Sequence, residues 1–107
     1  MNRWLVPAII SLTSMAAIAG GMPSAERQTE LRYLLTQDCG SCHGLTLQGG
    51  LGPALTPGAL SGKPAELLQA TILYGRTGTA MPPWRTFVSE TESLWLAERL
   101  LQGEAAQ

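Results

Sequence analysis

Residues 39–43 read Cys39-Gly40-Ser41-Cys42-His43. Two thiols three positions apart can reach the two vinyl groups on one edge of a haem. The next residue is then carried under the ring, where its imidazole can bind the iron. Two other chemistries use a C-x-x-C pair. A dithiol redox site sits beside a strand of an α/β fold, and no strand pattern precedes Cys39. Structural zinc takes four ligands, whereas Cys39, Cys42 and His43 are the chain's only cysteines and its only histidine. The pattern therefore predicts one covalently bound haem c, attached at Cys39 and Cys42, with its iron held by His43.

A single histidine excludes bis-histidine ligation within one chain. A second protein ligand must come from methionine, lysine or the N-terminal amine. Met81 is the expected ligand. It stands 38 residues beyond His43 in a Met81-Pro82-Pro83 turn, where paired prolines hold the backbone extended rather than forming a packing face. Met22 lies near the N-terminus, and Met1 and Met15 fall in the leader described below. Gly52-Pro53-Ala54-Leu55 adds a third element. Proline has no N–H but keeps its carbonyl, so Pro53 can accept the other N–H of His43 and raise its strength as a ligand.

Working outward, residues 1–19 begin with Arg3, continue as an uncharged apolar run and end on Ala17-Ile18-Ala19. A basic start, a short apolar core and a small-x-small exit predict a cleaved signal peptide. The run is about 15 residues, short of the ~20 that span a bilayer, so no stable membrane association is expected after cleavage. Removal of 1–19 leaves 88 residues with a net charge of −2. That charge balance gives no basic footprint for nucleic acid. A domain of this size is marginal without a staple, and a Cys39–Cys42 bridge would constrain almost nothing. A bound haem supplies the missing core.

The expected organisation is a flexible lead-in at 20–24, one domain over 25–103 and a tail at 104–107. A helix is predicted over 26–37, with Ser24 as cap and Leu31, Leu34 and Leu35 on its apolar face, flanked by Tyr33. Residues 44–62 are punctuated by glycine and proline and read as a long loop wrapping something other than protein. A second helix is expected over 64–74, with Pro64 in its first turn, Gly75 past its end and Leu67, Leu68 and Ile72 buried. A third is expected over 89–102, with Ser89 and Glu92 as a capping box, Gly103 as the stop and Leu94, Trp95, Leu100 and Leu101 in the core. No strand is expected, so the fold class is all-α.

Taken together, the helix before Cys39–His43, the Gly52-Pro53-x-Leu55 segment, the helix ending at Gly75, the Met81-Pro82 turn and the last helix resemble class I c-type cytochromes. The resemblance covers residues 26–102. It implies three to four helices wrapped around one haem, with the first and last crossing. It maps the family's histidine-partnering carbonyl onto Pro53 and its distal methionine onto Met81. The stretches CGSCHGLTLQGGLGPALTP and GTAMPPW look like the small periplasmic cytochromes encoded beside the haem-d-type nitrite reductase of denitrifying bacteria.

That likeness implies a periplasmic, monomeric one-electron carrier rather than an enzyme, with redox proteins such as nitrite reductase as partners. The alternative role is a factor in maturation of the reductase's haem d-type cofactor. A filled iron shell suits outer-sphere transfer. Gly44, Leu45, Pro82, Pro83 and Trp84 form a candidate docking face, with core packing as the equal alternative for Trp84. Arg76 and Arg85 are candidates to pair with a haem propionate.

Overall fold

Ser24 starts the helical path to the motif. Its Oγ accepts from Arg27 N at 3.2 Å, satisfying one of the orphan donors of a first turn that also carries Glu26. Helix α1 spans Ala25–Leu34. The computed structural model describes residues 22–103 and Ile9. The predicted signal peptide (apart from Ile9) and the tail lie outside these residues.

The first helix does not stop before the motif, as residues 26–37 predicted. It passes through a wider π-turn at Leu35–Cys39 into a short helix α2, Gly40–His43. The π-turn takes one more residue per hydrogen-bonded ring, so the helical path runs unbroken into His43. Gly40 is buried here, and a methyl on it would lie 3.4 Å from Leu45 Cα.

Helix α3 spans Ala65–Tyr74 and helix α4 spans Glu90–Gln102. Pro64 precedes α3 as its extended cap rather than forming its first turn, and its carbonyl receives Leu67 N and Leu68 N. The capping box forms as expected. Glu92 N donates to Ser89 Oγ at 3.1 Å and Ser89 N to Glu92 Oε1 at 2.9 Å. Gly103 closes α4 in the left-handed conformation. Among the described residues there is no strand.

The core is made by Leu31, Leu35, Leu47, Leu60, Leu73, Val88, Trp95, Leu96, Ala97 and Leu100, all buried. Three expectations about packing need correction. Leu68 and Ile72 are partly covered and pack on this core as expected, whereas Leu67 is half-exposed and Leu73 is the fully buried residue of α3. Tyr33 is exposed rather than flanking a buried face. The 44–62 loop is not a bare wrap. It anchors itself to protein through buried Leu47 and Leu60, and Leu60 N closes a turn on Thr56 O at 2.9 Å.

Helices α3 and α4 make the main helix–helix contact. Helix α1 reaches α4 through side chains. Arg27 pairs with Glu92, donates to Glu30 at 2.7 Å and donates to the Phe87 carbonyl at 2.8 Å. Further along, the guanidinium groups of Arg32 and Arg99 lie 5.2 and 5.4 Å from the ring centre of buried Trp95, a cation–π arrangement that draws the two helices together.

Glu92 thus serves two helices at once. The hydrogen bond from Arg27 holds its carboxyl below the usual carboxylate range, and Arg27 is raised further in turn. A carboxyl depressed in the folded state adds stability that is fully present above the ordinary value of about 4.5 and is lost as pH falls through the folded value. Glu92→Gln is expected to lower stability by about 2 kcal/mol at pH 7, the scale of a hydrogen bond to a charged group. At pH 3, below the ordinary carboxylate value, the difference should be smaller. Urea unfolding at the two pH values checks this, and an equal loss at both would show that Glu92 acts by packing alone.

Candidate functional site

The site is built from α2 and the loop that folds back over it. Gly49 N donates to His43 O and Gly52 N to Cys42 O, each at 2.8 Å. These bonds lay the 49–53 backbone against the end of the helix. Pro53, ten residues beyond His43, thereby presents its carbonyl 2.7 Å from His43 Nδ1. A carbonyl only accepts, so Nδ1 carries the proton that points at Pro53. The contact orients the ring and leaves Nε2 as the nitrogen for a metal.

The loop can approach this closely because residue 52 is glycine. A methyl there would lie 2.9 Å from both Cε1 and Nδ1 of His43. Gly52→Ala is expected to tilt the ring away from Pro53 and to cost about 1–3 kcal/mol, as overpacking generally does. The Nδ1 proton signal of the variant should shift in NMR spectra, and an unmoved signal would show that the ring has room to spare.

One positioning residue escaped the sequence. Leu47 is buried at a φ of 60°, a left-handed conformation that side chains beyond Cβ seldom adopt. Its carbonyl accepts Leu55 N at 2.8 Å, tying the segment after Pro53 back to the turn after His43. No composition or spacing rule flags a leucine for this role.

Cys39 and Cys42 form no disulfide and sit in different settings. Cys42 is exposed, while Cys39 packs against the core. Burial, and then the charge of Asp38, push the Cys39 thiol up to about 11. Dithiol redox sites depend on a lowered thiol pKa, so this environment argues against that chemistry. Among the described residues, no three His, Cys, Asp or Glu side chains gather into a metal cluster, which disfavours a zinc site as well. A covalent haem fits. The pair of cysteines, the ring nitrogen left beyond the Pro53 contact and the packing of Cys39 on the apolar core match the donors and setting it needs.

Met81 sits beyond the end of α3, partly buried. Its carbonyl accepts Arg76 N at 3.2 Å, and its own N–H reaches Thr79 Oγ1 at 3.3 Å. Trp84 packs on the core with its ring 5.7 Å from that of exposed Phe87, so core packing is one part of its role. Arg76 and Arg85 are exposed.

The sequence-family profile for "Cytochrome C oxidase, cbb3-type, subunit III" matches residues 26–98. Cytochrome c55X of Pseudomonas aeruginosa is 55% identical over 96% of this chain and 87% of the relative. The chain is a c-type cytochrome of the cytochrome c55X family. Cytochrome c55X of Paracoccus denitrificans is 49% identical over 90% of this chain and 92% of that protein. A solved structure of the c-type cytochrome NirC superposes with a TM-score of 0.75 at 62% identity, over 77% of this chain and 96% of that one. A second neighbour, the dihydro-heme d1 dehydrogenase NirN in complex with DHE, has a TM-score of 0.62 at 32% identity. It shares 66% of this chain but only 15% of its own length. The all-α cytochrome fold, a haem c cofactor and a NirC-like electron carrier therefore follow.

Proposed function

We propose that this cytochrome is a periplasmic one-electron carrier for nitrite reductase, with its haem joined to Cys39 and Cys42 and its iron held between His43 and Met81. The observation that carries the ligand assignment is the 2.7 Å contact from His43 Nδ1 to the Pro53 carbonyl, which leaves Nε2 as the open nitrogen. The haem supplies the ferric/ferrous couple. His43, oriented by Pro53, would hold the iron on one side, and Met81 in the stiff Met81-Pro82-Pro83 turn would supply a thioether, a soft ligand that favours the ferrous state. With both residues bound, the iron would have no position left for a substrate.

The names of the NirC and NirN neighbours support the link to nitrite reductase. No described helix is long and apolar enough to cross a membrane, and the leader pattern at 1–19 favours export of a monomeric mature chain. Mixing the reduced cytochrome with oxidised nitrite reductase should pass one electron to the enzyme and oxidise the cytochrome's haem on the stopped-flow timescale. An absorbance that stays reduced rejects the reductase as acceptor.

A second reading is a role in maturing the reductase's haem d-type cofactor. It is favoured by the likeness to the dihydro-heme d1 dehydrogenase. Gene deletion separates the two. A reductase made without its special haem points to maturation, and an intact reductase starved of electrons points to the donor role.

A further inference from the structure

We infer that Gly75, assisted by Thr79, is the positioning residue for Met81, acting through the backbone at the end of α3. The inference rests on the proposal that Met81 is the distal iron ligand.

Gly75 closes α3 with φ 67° and ψ −166°. That region is essentially restricted to glycine. The space around it is as closed as the conformation. A methyl at Gly75 would stand 2.6 Å from Met81 O, 2.8 Å from Pro82 C and 2.9 Å from Pro83 N. All three are backbone atoms, so no side-chain rotation relieves the contact. The segment itself cannot bend locally, because Pro82 and Pro83 have fixed φ and restrict the residues before them. A methyl at Gly75 must therefore push the whole Met81–Pro83 backbone away from α3.

The same segment is held from the other direction. Arg76 N donates to Met81 O at 3.2 Å and Trp84 N to Ile72 O at 2.9 Å. Thr79 Oγ1 donates to Arg76 O at 2.7 Å and accepts from Met81 N at 3.3 Å. The peptide of Met81 is thus pressed against Gly75 and clasped by Thr79. The same loop contains its own control. Gly78 also has a left-handed φ, 79°, but nothing lies within 4 Å of where its methyl would be. Alanine at 78 brings backbone strain without touching Met81, whereas alanine at 75 brings strain and displacement.

The test uses the haem-loaded protein and two readouts at the iron. One is the far-red methionine–iron band of the ferric form. The other is titration with imidazole, which competes for the distal position. Gly75→Ala is expected to weaken the band and bind imidazole about tenfold tighter or more, the scale set by overpacking costs. Gly78→Ala should match the parent within about twofold, well under one decade of affinity. Thr79→Val should tighten imidazole by a few-fold, roughly the worth of one hydrogen bond.

Equal effects at 75 and 78, or none at 75, overturn the inference. If Gly75→Ala does not yield folded holoprotein, Thr79→Val decides, and an unchanged imidazole affinity in that variant overturns it. Met81→Ala distinguishes the two levels of the argument. A band that survives there rejects Met81 as ligand. A band lost in Met81→Ala but intact in Gly75→Ala rejects only the positioning role.

Discussion

Replacing both Cys39 and Cys42 with alanine should yield a chain with no covalent haem and no cooperative thermal transition. The reason lies in how little protein there is to bury. The described core holds ten apolar side chains, and a domain of this size is near the limit of independent stability. Residues 44–64 contribute no helix, and their backbone bonds fold them over α2 rather than into a second core. Cys39 packs against the core cluster, so a haem joined there extends the core directly. Haem staining of a denaturing gel should be negative for the double variant. Its far-ultraviolet circular dichroism should lose helix and show no melting midpoint. A cooperative melt at the parent's midpoint would show that protein packing alone holds the fold.

Met81→Ala is expected to leave a folded, haem-stained protein with altered iron chemistry. Its far-red band should vanish and its reduction potential should fall by about 0.1 V, a fraction of the ~0.8 V that axial ligands control. That fall is nearly two decades in the ferrous/ferric equilibrium at ~59 mV per decade. The direction follows from softness. A thioether favours the ferrous state, and a water or hydroxide in its place favours the ferric. Redox titration of parent and variant makes the measurement, and an unchanged potential would leave Met81 as a packing residue. Covalent attachment at residues 39 and 42 is independent of residue 81, so the fold should survive this change where it fails in the first.

These two outcomes bear on different parts of the molecule, and those parts were legible to different degrees. The attachment motif could be read directly because its five residues are consecutive and their spacing is itself the chemistry. The capping box of Ser89 and Glu92 was legible for the same reason, since its hydrogen bonds join groups three residues apart. The contact of Pro53 with His43 was only suggested by sequence. It needs a loop to return across ten residues, and the bonds that return it run between backbone groups that carry no residue code.

Other features had no local signature. Along α3 nothing local separates Leu73, which is buried, from Leu67, which is half-exposed, because both are equally apolar and the packing of α3 on α4 decides between them. The π-turn that carries α1 into the motif, the left-handed Leu47 and the joining of Arg27 to Glu92 across 65 residues likewise depend on the path of the whole chain.

Sequence by itself determined the helical class and the haem c cofactor, because each is written in residues within a few positions of one another. Tertiary structure alone decided which His43 nitrogen faces the Pro53 carbonyl, how closely the Met81 turn lies against Gly75 and which leucines form the core. Those are distances between segments remote in the chain, set by backbone packing that residue spacing does not encode.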